Sequence, residues 1–387
     1  MPLQISQKGI KPLLKVQIYI FSLNFGTMKV VIAPDKFKGT LSSDLAGEVI
    51  CQAINKIAPE NVVCKKFAVA DGGDGSLAVL QGDMPIATCK AHDAVGRERE
   101  CRYALAGDYA LVESAEVIGL THLAANELSP LTASSYGLGE VIADAVTRGA
   151  RRVDIALGGV ATCDCGVGML RAMGVVFRDK NGEPSTSTIT AYNDFHFIDT
   201  SEITNRYADI EFRVVCDVRN PLLGNNGAAE VYAPQKGASS EDIAKIEAFA
   251  EHLTMLVGSH SHKIAGSGAA GGLGWAMIEF LGAEILSGAE HIAEKCGLEE
   301  AIAEADLVIT GEGRFDNQTE QGKAVSHIRA LCNSYSKPCI IYCGDTLLRL
   351  PHLYALTDHH TKEEALSNAE SLLYSLVCQT IEPYLLK

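Results

Sequence analysis

Apolar residues in this chain gather in short runs, each closed by glycines and charged residues and followed by a stretch with helical spacing. Residues 29–33 are the first such run. The loop Pro34-Asp35-Lys36-Phe37-Lys38-Gly39-Thr40 follows, then a helix with apolar positions Leu45, Val49, Ala53 and Ile57 that Ser42 is placed to cap. Residues 67–70 read as a strand closed by Asp71-Gly72-Gly73-Asp74-Gly75-Ser76, with a helix from Leu77. Residues 85–112 alternate and predict hairpin strands packed beside the first sheet. A helix carrying Leu138, Val141, Ile142 and Ala145 leads to a strand at 153–157, the loop 158–166 and a helix through Met169, Leu170 and Met173. A strand at 213–216 precedes Asp217 and Asn220. Ser240 is placed to cap a helix with Ile243, Ile246, Phe249 and Leu253 on one face. Residues 306–309 are a buried strand, 310–323 its loop, 339–343 a further strand, and 362–386 a closing amphipathic helix.

This alternation predicts an α/β fold with parallel sheets, whose ligands sit at the carboxyl ends of the strands. The glycine-rich loops all fall there. Gly311, Glu312, Arg314, Asp316 and Lys323 offer flexible backbone and both signs of charge, which suits a phosphate and its metal ion. Asp35 and Lys38 lie between a strand and a helix N-terminus, an anion-friendly place. Asp71 and Asp74 flank Gly72 and Gly73 and suit Mg2+ or a hydroxyl-bearing substrate. Asp164 is a lone acid in its loop.

The segment Gly266-Ser267-Gly268-Ala269-Ala270-Gly271 fits the dinucleotide pattern G-x-G-x-x-G, with Glu290 downstream, but no clear strand precedes it. An NAD-dependent dehydrogenase is therefore a subordinate reading. The pattern G-x-x-x-x-G-K-[ST] is absent, which excludes a P-loop kinase.

At 387 residues, 47% hydrophobic and 21% charged, the chain is long enough for two globular domains. A net charge of −15 argues against nucleic acid and obliges an anionic substrate to find a local positive site or a bound cation. The 12 cysteines are spread through apolar runs, and reduced thiols in a cytoplasmic protein are expected. Cys163 and Cys165 lack partners at metal-ligand spacing. Residues 1–27 carry Lys8, Lys11 and Lys15 before an apolar run too short to span a membrane, so a dispensable extension is expected, with Met28 the functional start.

The segments MKVVIAPDKFKGTL, AVADGGDGS, SSYGLGEVI, ALGGVATCDCGVGML, DVRNPLLGNNGAAEVYAPQKGA, AGSGAAGGLG and VITGEGRFDNQTEQGK together resemble the bacterial glycerate kinases of the glycerate 2-kinase type, from Met28 to about Gly344. The resemblance implies ATP-dependent, Mg2+-requiring phosphorylation of D-glycerate, usually at the 2-hydroxyl. It implies a flavodoxin- or Rossmann-like domain from residues 28–88 and 288–387, an inserted α/β domain over 89–287, and an active site in the cleft between them.

Phosphoryl transfer asks mainly for positioning and charge neutralisation. On that footing Asp71, Asp74 or Asp316 holds Mg2+. Lys38, Arg314 and Lys323 neutralise phosphate oxygens or the glycerate carboxylate, and the backbone around Ser267, Gly268 and Gly271 faces phosphates. Asp164 or Asp217 accepts the hydroxyl proton. Asp35 completes the catalytic set; Gly72, Gly73, Asn220, Lys236, Gly311, Glu312 and Gln318 complete the binding set. Partners are small molecules, with neither nucleic acid nor membrane, and a homodimer is admitted. The chain departs from the family pattern where Val160, Cys163 and Cys165 replace Ser, Asn and Gly, and Lys36 replaces Ser. Lost hydrogen-bonding groups at 160 and 163 keep a second reading in view, a weakly active or non-catalytic relic that binds a small hydroxy acid.

Overall fold

The computed structural model describes residues 27–37, 39–58, 60–69, 72–316 and 324–385. The strands are β1 (Met28–Pro34), β2 (Val62–Lys66), β3 (Ile86–His92), β4 (Glu98–Ala106), β5 (Tyr109–Glu113), β6 (Arg152–Ala156), β7 (Val176–Arg178), β8 (Phe197–Asp199), β9 (Glu211–Val215), β10 (Glu284–Leu286), β11 (Leu307–Phe315), β12 (Cys339–Thr346) and β13 (Leu353–Ala355).

Five strands from both ends of the chain form one sheet in the order β2-β1-β11-β12-β13, every pair parallel. In order along the chain this is the flavodoxin-like arrangement, whose topological switch lies between β1 and β11. Val30 and Ile32 of β1 face a core completed by the helix Ser43–Ile57 and the C-terminal helix Ala369–Thr380. Val31 and Ala33 face the opposite core, with Ala289, Ile302 and Ile328. Covering both faces explains why β1 reads as an unbroken apolar run.

The segment between contributes a second sheet, ordered β10-β9-β6-β5-β4-β3. Its strands β5, β6, β9 and β10 run parallel, while β3 and β4 form antiparallel hairpins on β5. The hairpins therefore extend this second sheet and do not pack beside the first. Strands β7 and β8 form a separate ribbon.

Four local expectations shift. The second strand is Val62–Lys66, not 67–70. It is an edge strand paired only to β1, so its outer positions carry lysines and the hydrophobic pattern points past it. Strand β11 continues through the residues expected to be loop, because β12 keeps pairing with it as far as Phe315↔Thr346. Ser239, not Ser240, caps the helix Ser240–Val257, through a reciprocal box with Asp242. Leu45, counted among the apolar face of the first helix, is exposed. Residues 1–26 of the expected extension lie outside the described residues. No helix among the described residues is long and apolar enough to cross a membrane.

Candidate active site

At the switch point the strand register sets Asp35, which follows β1, alongside Glu312 of β11. Pro34 pairs with Gly311 in register, and the Asp35 N–H donates to the Gly311 carbonyl at 2.7 Å. Asp35 and Glu312 are both buried. Gly311 is obligatory here, since a Cβ would lie 2.0 Å from the Tyr342 carbonyl. Ser43 Oγ donates to the Pro34 carbonyl at 2.7 Å and accepts from the Val69 N–H at 2.9 Å, which draws the segment after β2 to the same crevice.

That segment reaches the second sheet. Lys36 Nζ donates to the Asp74 carbonyl at 2.9 Å. Gly72, at φ +80, lies so close to the end of β9 that a Cβ would sit 2.5 Å from the Val215 carbonyl. A Cβ on Gly158 would meet Gly73 Cα at 2.6 Å, and one on Gly159 would meet Asp74 Cβ at 3.3 Å. Buried Glu113, at the end of β5, accepts from Gly75 N at 3.0 Å and Leu77 N at 2.7 Å, anchoring the helix Ser76–Leu80. Burial raises its carboxyl pKa, against the pull of those two donors.

A second group of loops closes on the far side. Lys236 Nζ donates to the Thr162 carbonyl at 2.6 Å. Cys165 N–H donates to the Gly271 carbonyl at 3.1 Å. The helix Ala269–Leu281 opens with left-handed Ala270, Gly271 and Gly272, and Cys165 is left-handed as well. Two non-glycine residues thus hold an unfavourable backbone where the loops meet, a cost that persists where surroundings fix it. Gly268 N–H donates to the Asn220 carbonyl at 2.9 Å, while the Asn220 side chain bonds Asn226 and Tyr232.

Both expected proton acceptors have work elsewhere. Asp164 accepts from Ser135 N and Oγ, Gly166 N and Gly168 N, fastening two helix starts. Burial raises its pKa in spite of these donors. Asp217 accepts from Ser287 Oγ and Ala289 N, both at 3.0 Å, at the start of the helix Gly288–Cys296. Ser267 is turned inward, donating to the His262 carbonyl. Arg314 and Asp316 stand at the end of β11, 3.4 Å apart. Lys38, Asp71, Gln318 and Lys323 lie outside the described residues. Sequence patterns passed over Glu113, whose only signal was an acid ending an apolar strand, and Thr162, which sat unremarked inside a glycine-rich motif. They noted Lys36 only as a departure from the family pattern and gave it no part in the site.

Only a one-turn 3-10 helix, Ser261–Lys263, precedes the glycine-rich segment, and residues 270–272 coil left-handed. The strand-turn-helix that a dinucleotide fingerprint requires is not formed there.

The sequence profile described as "Glycerate kinase family" matches residues 30–382. The chain belongs to the glycerate kinase family. Among glycerate kinase relatives, it is 37% identical over 327 residues to the "Glycerate 2-kinase" of Escherichia coli K12, covering 82% of this chain and 85% of that protein. It is 35% identical to the "Glycerate kinase" of Halalkalibacterium halodurans over 325 residues, 81% of this chain and 85% of that one. The fold is similar to a Salmonella typhimurium LT2 crystal structure described as "putative glycerate kinase 2", with a TM-score of 0.74 and 33% identity, covering 92% of this chain and 97% of the other.

Proposed function

We propose that this protein phosphorylates D-glycerate with ATP, at the 2-hydroxyl, giving 2-phosphoglycerate. The observation that carries the reading is the convergence of loops from both sheets at the switch point, in a chain of this family. The site lies in a cleft between a domain built on the first sheet, from both ends of the chain, and an inserted domain built on the second. Asp74, just before the helix Ser76–Leu80, and Asp316, just after β11, are hard oxygen donors, and Mg2+ bound with phosphates needs only one or two such carboxylates. These residues would hold the ion, and Asp71 is assigned to the same group. The bound ion would neutralise charge on the phosphates; Arg314 does the same from the protein side. The left-handed turn at Gly271 and Gly272 serves an anion through its backbone.

Asp164 and Asp217 are assigned to holding their loops, because their oxygens already accept cap bonds. A cytoplasmic setting is proposed on the twelve cysteines, all free thiols. A coupled assay of ATP consumption with D-glycerate, followed by phosphorus NMR of the product, tests the reading. Phosphate on C2 is expected. Ligand-dependent thermal stabilisation without turnover would replace it with the non-catalytic relic.

A further inference from the structure

We infer that Lys236 and Thr162 form the receptor for the substrate's carboxylate, with Thr162 a specificity residue. The inference rests on the glycerate kinase reading. Lys236 is 2% exposed, and among the described residues its ammonium is held by the Thr162 carbonyl and lies beside the Cys163 thiol, with no carboxylate bonded to it. Asp164, the nearest acid along the loop, spends its oxygens on Ser135, Gly166 and Gly168. The Thr162 hydroxyl is buried and makes no hydrogen bond. Gly271 closes the point from the other side. A Cβ there would lie 2.1 Å from the Thr162 carbonyl and 3.0 Å from Lys236 Nζ, so the Gly271 backbone packs directly against both.

A buried ammonium bonded to no described carboxylate, held by the carbonyl of a residue whose own buried hydroxyl has no partner, is costly on both counts. Local rules broken together in this way mark sites whose missing partner is a ligand. The charge count selects the ligand. One ammonium and one hydroxyl balance a monoanion such as a carboxylate. A triphosphate carries several charges and arrives with its own cation. Anchoring the carboxylate also favours reaction at C2, because the C3 hydroxyl lies one more rotatable bond from the anchor.

The test compares wild type with Thr162→Val and Lys236→Met, reading KM for D-glycerate and for ATP separately, the melting temperature, D-glycerate binding without ATP by calorimetry, and the phosphorylated position. Thr162→Val is expected to raise KM for D-glycerate about tenfold, to leave KM for ATP and the melting temperature unchanged, and to increase phosphate on C3. Lys236→Met is expected to abolish calorimetric binding of D-glycerate. A rise in KM for ATP alone would assign the pair to the nucleotide. A lower melting temperature with both KM values unchanged would make it a structural tie. If Lys236→Met fails to fold, Thr162→Val decides. A wild type without turnover sinks the kinase reading; an active wild type with an unaltered Thr162→Val variant sinks this inference alone.

Discussion

Arg213 grips Asp154 across neighbouring strands with two parallel bonds, Nε to Oδ1 at 2.7 Å and Nη2 to Oδ2 at 2.9 Å. Tyr109 OH donates to the same carboxylate at 2.7 Å, and His291 Nε2 lies 3.2 Å from it. His291 belongs to the helix Gly288–Cys296, where the chain leaves the second sheet for the first, so this network joins the two. Asp154→Ala strands a partly buried guanidinium. Because Arg213 retains 19% side-chain exposure, the expected loss is near the lower end for a broken buried pair, about 3 kcal/mol in urea unfolding. The double variant Asp154→Leu, Arg213→Met is expected to recover most of it.

The same carboxylate sets an acid limit. Burial alone would raise its pKa, but the bonds from His291, Arg213 and Tyr109 outweigh burial and hold it below the ordinary value. The unfolded chain therefore takes up this proton at a higher pH than the folded one. The stabilisation is present above the ordinary aspartate value of about 4 and is lost as pH falls through the depressed folded value. The stability gap between wild type and Asp154→Asn, followed by thermal unfolding, is expected to be constant at neutral pH and to narrow below about pH 4. A gap that widens on acidification would contradict this.

Gly72 is one of the contacts through which the segment after β2 meets the second sheet, and the one at the end of β9. Gly72→Ala adds a Cβ 2.5 Å from the Val215 carbonyl at φ +80, so the loop has to lift. Destabilisation of about 2 kcal/mol or more is expected, with kcat/KM for D-glycerate falling at least tenfold. Gly75→Ala is the control. It shares the left-handed backbone, at φ +92, but its Cβ would meet open space, so only the strain of about 1 kcal/mol is expected.

These contacts divide what the sequence reveals from what it hides. Strand-loop-helix repetition was legible, because β1 is covered on both faces and β11 is buried from Leu307 to Glu312. Gly72 and Gly311 were visible as glycines, and their reason, a carbonyl of a distant strand, was not. Strand β2 escaped because an edge strand need not be apolar. Asp164 and Asp217 looked like candidate bases because a glycine-rich loop after a strand signals chemistry. The same loop also needs its amides capped, and a carboxylate meets either need. Thr162 could not be picked out, since a hydroxyl without a partner is a property of its three-dimensional surroundings.

Asp316 directly follows β11, half-buried and 3.4 Å from Arg314. Its proposed work is on the phosphates and their cation. Asp316→Asn keeps the shape and removes the charge. A fall in kcat of at least a hundredfold is expected, with thermal unfolding within a degree of wild type. Near-normal turnover would remove Asp316 from the site.

Asp164 separates a buttress from a base. A base needs a lone pair directed at the substrate hydroxyl, whereas this carboxylate accepts from Ser135 N and Oγ, Gly166 N and Gly168 N. In Asp164→Asn, whichever oxygen becomes an amide group turns hydrogens toward buried N–H donors, which lose their acceptor. The expected cost is about 2–4 kcal/mol, from one or two unsatisfied donors. The enzyme that remains folded should keep the wild-type pH profile of kcat. Loss of a catalytic base would give the reverse, normal stability with a collapsed kcat and no acidic limb in the profile. Unfolding and pH–rate measurements on this one variant therefore distinguish the roles, and the four donors around the carboxylate favour the first.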